Sequence, residues 1–308
     1  MPAVSLEDFA LSFGIPMDSL AGDCRQMVKS ADFSYSVIQN AARDALILDV
    51  LKRIDADNQQ IGAEARRGVW EKGWSENLNR FRESGYNLNA LRPKFIRADL
   101  PVRYAGNYIR PNNPDFEYDY MTVFRTWLFR EYLKDCDRVY EFGCGTGLNL
   151  VLLASLFPNM ELHGLDFVPS SVDLVNEVGR SKKQEIFGHL FDMIHPDRSF
   201  QLKKNCAVFT FGAIEQLAGK FEAFLQYLMA NRPAICFHIE PTIELYDENL
   251  LFDYLAIKFH RKRGYTEGLL PRLQELASKG IIELIKVKRL YFGSLFMEGY
   301  SYFVWRMK

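Results

Sequence analysis

The run Val139-Tyr140-Glu141-Phe142-Gly143-Cys144-Gly145-Thr146-Gly147-Leu148-Asn149 holds the residues with the clearest chemical capacity. An apolar strand ends in a carboxylate. Three glycines follow at alternate positions, and an apolar helix opens behind them. Glycine lets the backbone turn sharply and lets a ligand come close to the main chain. The helix behind the loop aims free N–H groups and its positive dipole end at that ligand. The spacing discriminates between ligand classes. A dinucleotide loop reads G-x-G-x-x-G, which would put its third glycine at Leu148. Here the third glycine is Gly147, and Glu141 lies two residues before the first. A pyrophosphate disfavours a carboxylate beside it, whereas a cationic ligand tolerates or uses one.

Two more acids follow at related places. Glu161-Leu162-His163-Gly164-Leu165-Asp166 reads as the next strand, and Asp166 falls where a ribose diol is usually held. A third strand, Phe187 to Phe191, runs into Asp192. Acids at the C-terminal ends of successive strands sit where open α/β sheets bind ligands. Each also has a plainer reading: Asp166 as a helix cap, Asp192 as a solvated turn residue before Pro196.

The pattern acidic-x-G-x-G-x-G resembles motif I of the class I S-adenosylmethionine (SAM) methyltransferases, and the two later acids match that family's following motifs. The resemblance runs from Arg138 to the end. It implies an α/β fold: a seven-stranded, mostly parallel Rossmann-like sheet whose last strand is antiparallel. It implies SAM as cofactor, held by Glu141, Gly143, Gly145, Gly147, Asp166, Phe167, Asp192 and Phe211. In the family the acid matching Asp166 binds both ribose hydroxyls, and one at Asp192 often accepts from the adenine amino group.

The elements that must position these residues alternate in the expected way. Val139–Phe142, Leu162–Asp166, Phe187–Phe191, Ala207–Phe211 and Ala234–Ile239 are short apolar runs of the parallel-strand kind. Helical stretches lie between, such as Ser171–Val178 and Phe221–Met229. Ile281–Lys288 and Tyr300–Trp305 read as a closing hairpin. Residues 1–134 read as a helical extension covering the cofactor, with helices over Val37–Ile54, Glu64–Phe81 and Tyr118–Leu133. Arg92 to Pro114 reads as an irregular loop. Residues 135–308 form the expected methyltransferase domain.

Three residues are candidates for catalysis. Glu215 in Ile214-Glu215-Gln216-Leu217 matches a family turn, but Gln216 replaces the family's histidine there. His238 and Glu240 alternate to one side of the fifth strand, where either could take a proton from an acceptor. A packed His238 in a solvated acidic loop is the plainer alternative. The basic group His260-Arg261-Lys262-Arg263 either meets an anionic acceptor or is a helix end suited to the dipole. Arg103 to Arg110 and Tyr118 to Tyr120 offer aromatic faces for a sulfonium and an arginine for the methionine carboxylate.

The composition bounds the reading. Of 308 residues, 48% are hydrophobic and 25% charged, as in ordinary globular chains, and the net charge of −1 argues against a nucleic-acid partner. Five cysteines without a C-x-x-C pair suggest reduced thiols in the cytoplasm and no metal. No signal peptide and no membrane-spanning run are expected. The expectation is a cytoplasmic methyltransferase acting on an O or N atom of a small or sugar-like acceptor. A non-catalytic SAM-binding sensor, an RNA or protein methyltransferase and a dehydrogenase are its rivals.

Overall fold

The computed structural model describes residues 1–61, 65–93 and 100–308. The first part contains α1 (Leu6–Phe13), α2 (Gly22–Ser30), β1 (Tyr35–Val37), α3 (Asn40–Ala56), α4 (Ala65–Glu83), β2 (Val102–Tyr104), β3 (Asn107–Pro111) and α5 (Phe116–Tyr132). An alternating series follows: β4 (Arg138–Phe142), α6 (Leu148–Leu156), β5 (Glu161–Asp166), α7 (Pro169–Lys182), β6 (Ile186–Leu190), β7 (Cys206–Phe211), α8 (Glu222–Asn231) and β8 (Ile235–Ile239). Then come α9 (Leu251–Arg263), α10 (Leu269–Ser278), β9 (Ile282–Lys288), β10 (Phe292–Gly293) and β11 (Tyr302–Met307).

The main sheet has the order β6-β5-β4-β7-β8-β11-β9. Strands β4 to β8 are mutually parallel, and β11 runs antiparallel between β8 and β9. The chain order reverses direction at β4, so the crevice beyond β4 and β7 is the topological switch point where such sheets take ligands. Alternation along β4 sends Tyr140 and Phe142 to one face and Val139 to the other. One core layer packs α5, α6 and α7 through Phe124, Trp127, Leu150, Leu153 and Leu174. The opposite layer packs α8 and α10 through Phe224, Leu228 and Leu273. No helix among the described residues is long and apolar enough to cross a membrane.

The N-terminal part departs from the expected helices and loop in two respects. Part of the expected loop between Arg92 and Pro114 is a hairpin, with Val102 opposite Ile109 and Tyr104 opposite Asn107. Ala105 and Gly106 turn it with φ of +48° and +76°, the left-handed pair that suits the twist of a tight hairpin. Residues 94–99 of that stretch lie outside the described residues. The expected helix from Val37 begins at Asn40, because Tyr35–Val37 instead pairs with β3. The expected helix Glu64–Phe81 corresponds to α4, with Glu64 outside the described residues.

These strands form a second sheet, β1-β3-β2-β10, whose last member comes from the C-terminal half. Phe292 of β10 stacks on Tyr120 of α5 with ring centroids 3.8 Å apart. Tyr302 of β11 donates its hydroxyl to the Phe13 carbonyl at 2.7 Å. The extension is thus knitted into the same core as the main sheet.

Candidate functional site

The glycine loop leaves the tip of β4 with φ of +73° at Gly143, +53° at Gly145 and +72° at Gly147. A side chain is excluded for a second reason at two of these. A Cβ on Gly143 would lie 2.4 Å from the Ala213 methyl, and one on Gly145 would lie 2.9 Å from the Trp74 ring. Glu141 lies beneath the loop, only 1% exposed. Its Oε1 accepts from Asn149 Nδ2 at 2.6 Å, and Asn149 Oδ1 accepts from Arg125 Nη1 of α5 at 2.9 Å. Its Oε2 is buried with no partner. Burial pushes the Glu141 carboxyl up to about 8, against the pull of Asn149 and Arg125. A carboxylate oxygen left bare at this depth is costly, and a cationic ligand group would complete it.

Asp166 ends β5 facing the same loop. Its Oδ2 accepts from the Gly145 N–H at 3.0 Å and its Oδ1 from the Val168 N–H at 3.2 Å. Burial raises it to about 6, with those N–H groups opposing. Phe167 is half-buried beside it, and its carbonyl accepts from Arg67 Nη2 at 3.1 Å. Asp192 stands two residues past β6. It accepts from the Ile194 N–H at 2.8 Å and pairs with His195 at 3.1 Å, so in this state it holds its own turn. Phe211, at the tip of β7, faces the Tyr300 ring at 5.8 Å.

The three catalytic candidates separate in environment. His238 is 1% exposed and both ring nitrogens are engaged. Trp305 donates its indole N–H to His238 Nε2 at 3.0 Å, which leaves Nδ1 to donate to Thr210 Oγ1, also at 3.0 Å. Thr210 in turn donates to Glu240 Oε1 at 2.7 Å. Burial depresses His238 to about 3. Of the two readings the sequence left open, base or packed core residue, the hydrogen bonds favour the second, since neither ring nitrogen of His238 is free. Glu240 is 3% exposed and accepts from the N–H groups of Ala213, Ile214 and Glu215 at 3.1 Å each. It caps the 3₁₀ turn Ile214–Leu217, so it too is committed to positioning rather than open for proton transfer. Glu215 differs. Its Oε1 accepts from Gln216 Nε2 at 2.7 Å, and no hydrogen bond reaches its Oε2 among the described residues. Burial, then the neighbouring Glu240, raises it to about 8, against Gln216, Arg66 and Arg263.

Helix α4 lies across this crevice, which sequence reading did not resolve beyond a covering extension. Trp74 sits on Gly145 and stacks with Trp70 at 5.4 Å. Glu71 accepts from the Ser170 N–H at 3.2 Å, and its carbonyl accepts from Ser170 Oγ at 3.0 Å. Arg82 bridges to Glu177 of α7 at 2.7 Å. Arg66, near the start of α4, lies in the field of Glu215 and Tyr265. The arginine expected for the methionine carboxylate falls in the stretch Arg103 to Arg110. Arg103 is fully buried, donates to the Phe252 carbonyl and stacks on the Phe252 ring at 3.9 Å. Arg125, on the face of α5 toward the glycine loop, is the arginine near Glu141, and only its place in the fold reveals it. The basic group is the last turn of α9: Arg263 pairs with Asp57 and donates to Gln59 at 3.0 Å, and His260 is buried against the Thr266 carbonyl.

No family model matches the chain. It is 48% identical over 44 residues to a trans-aconitate 2-methyltransferase of Pseudomonas aeruginosa (strain UCBPP-PA14), covering 14% of this chain and 15% of that protein. A protein of the same description from Pseudomonas paraeruginosa (strain DSM 24068 / PA7) is 46% identical over 44 residues, with the same coverage. The chain therefore spans only a small part of the length of the curated relatives it matches. Among solved structures, the [4+2]-cyclase SpnF superposes with a TM-score of 0.53 at 10% identity, over 81% of this chain and 99% of that one. Human N-acetylserotonin methyltransferase in complex with SAM gives 0.49 at 14% identity, over 87% and 68%. The fold is that of the class I SAM-dependent methyltransferases.

Proposed function

We propose that this protein is a SAM-dependent methyltransferase acting on a small-molecule acceptor. The observation that carries the reading is the bare, buried Glu141 Oε2 beneath a loop of three left-handed glycines. That pairing suits the ammonium end of SAM and is ill suited to a pyrophosphate. SAM, when bound, supplies a methyl group on a sulfonium. The chain's residues then bind and align. Glu141 takes the ammonium, Asp166 the ribose hydroxyls, and Phe167, Asp192 and Phe211 line the nucleoside and sulfonium. Glu215 accepts the proton that an O–H or N–H acceptor gives up as its lone pair takes the methyl. Glu240 and His238 hold the turn that presents Glu215. Alignment contributes most to such a transfer, up to about 7–11 kcal/mol.

The test is calorimetry with SAM on the wild type and on Glu141→Gln. The substitution weakens SAM by about tenfold or more, because it removes a charge-assisted contact. Glu141 must ionise to bind a cation, so wild-type affinity rises between pH 6 and pH 8 and the variant's does not. The folded-state pKa lies above the unfolded one, so this group costs the free protein stability as pH rises from 4.5 to about 8. Glu141→Gln therefore raises the melting temperature of the free protein at pH 8. Equal SAM affinity in both proteins rules the reading out.

A second reading is a SAM-binding protein without methyl transfer. It draws on the same fold in a protein named as a cyclase and on the engagement of His238 and Glu240. Formation of S-adenosylhomocysteine on incubation with SAM and pooled metabolites separates the two.

A further inference from the structure

We propose that the acceptor carries a carboxylate and that Arg66 receives it; the inference rests on the methyl-transfer reading for what lies beside that site. Arg66 makes no hydrogen bond among the described residues. Its Nε and Nη1 are closed off from water without a partner, and its guanidinium lies 5.5 Å from the Trp70 ring. A guanidinium stays charged in a protein, so buried donors without acceptors are costly until something fills them.

The neighbouring groups do not fill them. Arg263 and Asp57 are paired with each other. Glu215 has one oxygen taken by Gln216, and burial keeps its carboxyl largely protonated at neutral pH. Among the described residues, one cation is therefore left uncompensated in the crevice. Gln216 Oε1, next in sequence to Glu215, is also buried without a partner.

The Ile61 N–H, just before α4, donates to the Arg263 carbonyl at 2.8 Å, and the Thr266 N–H donates to the Glu215 carbonyl at 3.0 Å. Ile61 and Glu215 are thus both tied to the chain at and just after the end of α9. A planar carboxylate matches the guanidinium fork. A phosphate dianion fits less well, because a single cation faces it and Glu215 is close.

The test uses the full chain loaded with S-adenosylhomocysteine, with binding read by calorimetry and by Trp fluorescence. The probes are succinate and 4-hydroxybenzoate, their amides, and inorganic phosphate. The acids bind the wild type about tenfold or more tighter than the amides, and Arg66→Gln removes that difference while Arg66→Lys keeps part of it. SAM affinity, measured separately, stays within about twofold in both variants. Four outcomes overturn the proposal: no acid binds, amides bind as well as acids, Arg66→Gln binds acids as the wild type does, or phosphate binds tighter than the acids. Failure of the wild type to bind SAM instead sinks the methyl-transfer reading, and the probes without S-adenosylhomocysteine still judge Arg66.

Discussion

Glu215 keeps an oxygen free of hydrogen bonds among the described residues, while both oxygens of Glu240 and both ring nitrogens of His238, on the adjacent strand, are engaged. The difference comes from depth. Glu240 is drawn under the 3₁₀ turn by three N–H groups, and the turn then carries Glu215 over the crevice. The like charge of Glu240 adds to burial in raising Glu215 to about 8, close to the working range of a general base at neutral pH. The deprotonated form grows as pH rises through 8, so kcat/KM with an identified acceptor rises to a plateau above that pH. Glu215→Gln removes that limb and lowers kcat by about 10²–10⁴ while SAM binding is retained. A variant with an unchanged pH–rate profile would assign the proton transfer to water or to another group. Glu215 was legible as a candidate from the turn it belongs to; its distinction from His238 was not, because the sequence places all three side chains at strand tips alike.

At the scale of elements, α4 determines access. It rests on the glycine loop through Trp74, on the start of α7 through Glu71, and on the end of α7 through Arg82. Those supports lie at the rim, whereas Leu78 and Phe81 later in the same helix are buried in the core layer under α5. The first part of α4, held at the rim alone, opens at lower free energy than the core. Adding SAM is expected to slow amide hydrogen exchange over 65–76 and to leave exchange in α10 unchanged. Equal protection of α4 with and without SAM would separate this helix from the cofactor site. The helical period of α4 was readable from sequence, but its partners lie about a hundred positions away (Arg67 to Phe167, Glu71 to Ser170), beyond the reach of local pattern.

Across the whole molecule, the extension and the Rossmann-like half share one structure. The second sheet draws β10 from the C-terminal half. Nearby, Arg289 after β9 forks to Asp253 of α9 at 2.5 Å and to Glu298 at 2.6 Å. Glu298 is fully buried and Arg289 nearly so. Breaking one arm of a buried ionic group leaves a charge uncompensated, so Glu298→Gln costs roughly 3 kcal/mol in urea unfolding. A change under about 0.5 kcal/mol would mean that the site is wetter than its geometry indicates. The same substitution lies far in sequence from the glycine loop, yet the fold connects both through α5 and β10.

By itself the sequence determined the strand–loop–helix at 139–153, the acids at the strand tips and the parallel order that follows, since each is a local pattern of glycine freedom, alternation and spacing. Only the tertiary structure decided that Ala105-Gly106 turns a hairpin, that His238 is spent on Trp305 and Thr210, and that Arg66 and Arg125 flank the crevice. Burial and hydrogen-bond partnership depend on which distant segments meet, and no stretch of a chain records that alone.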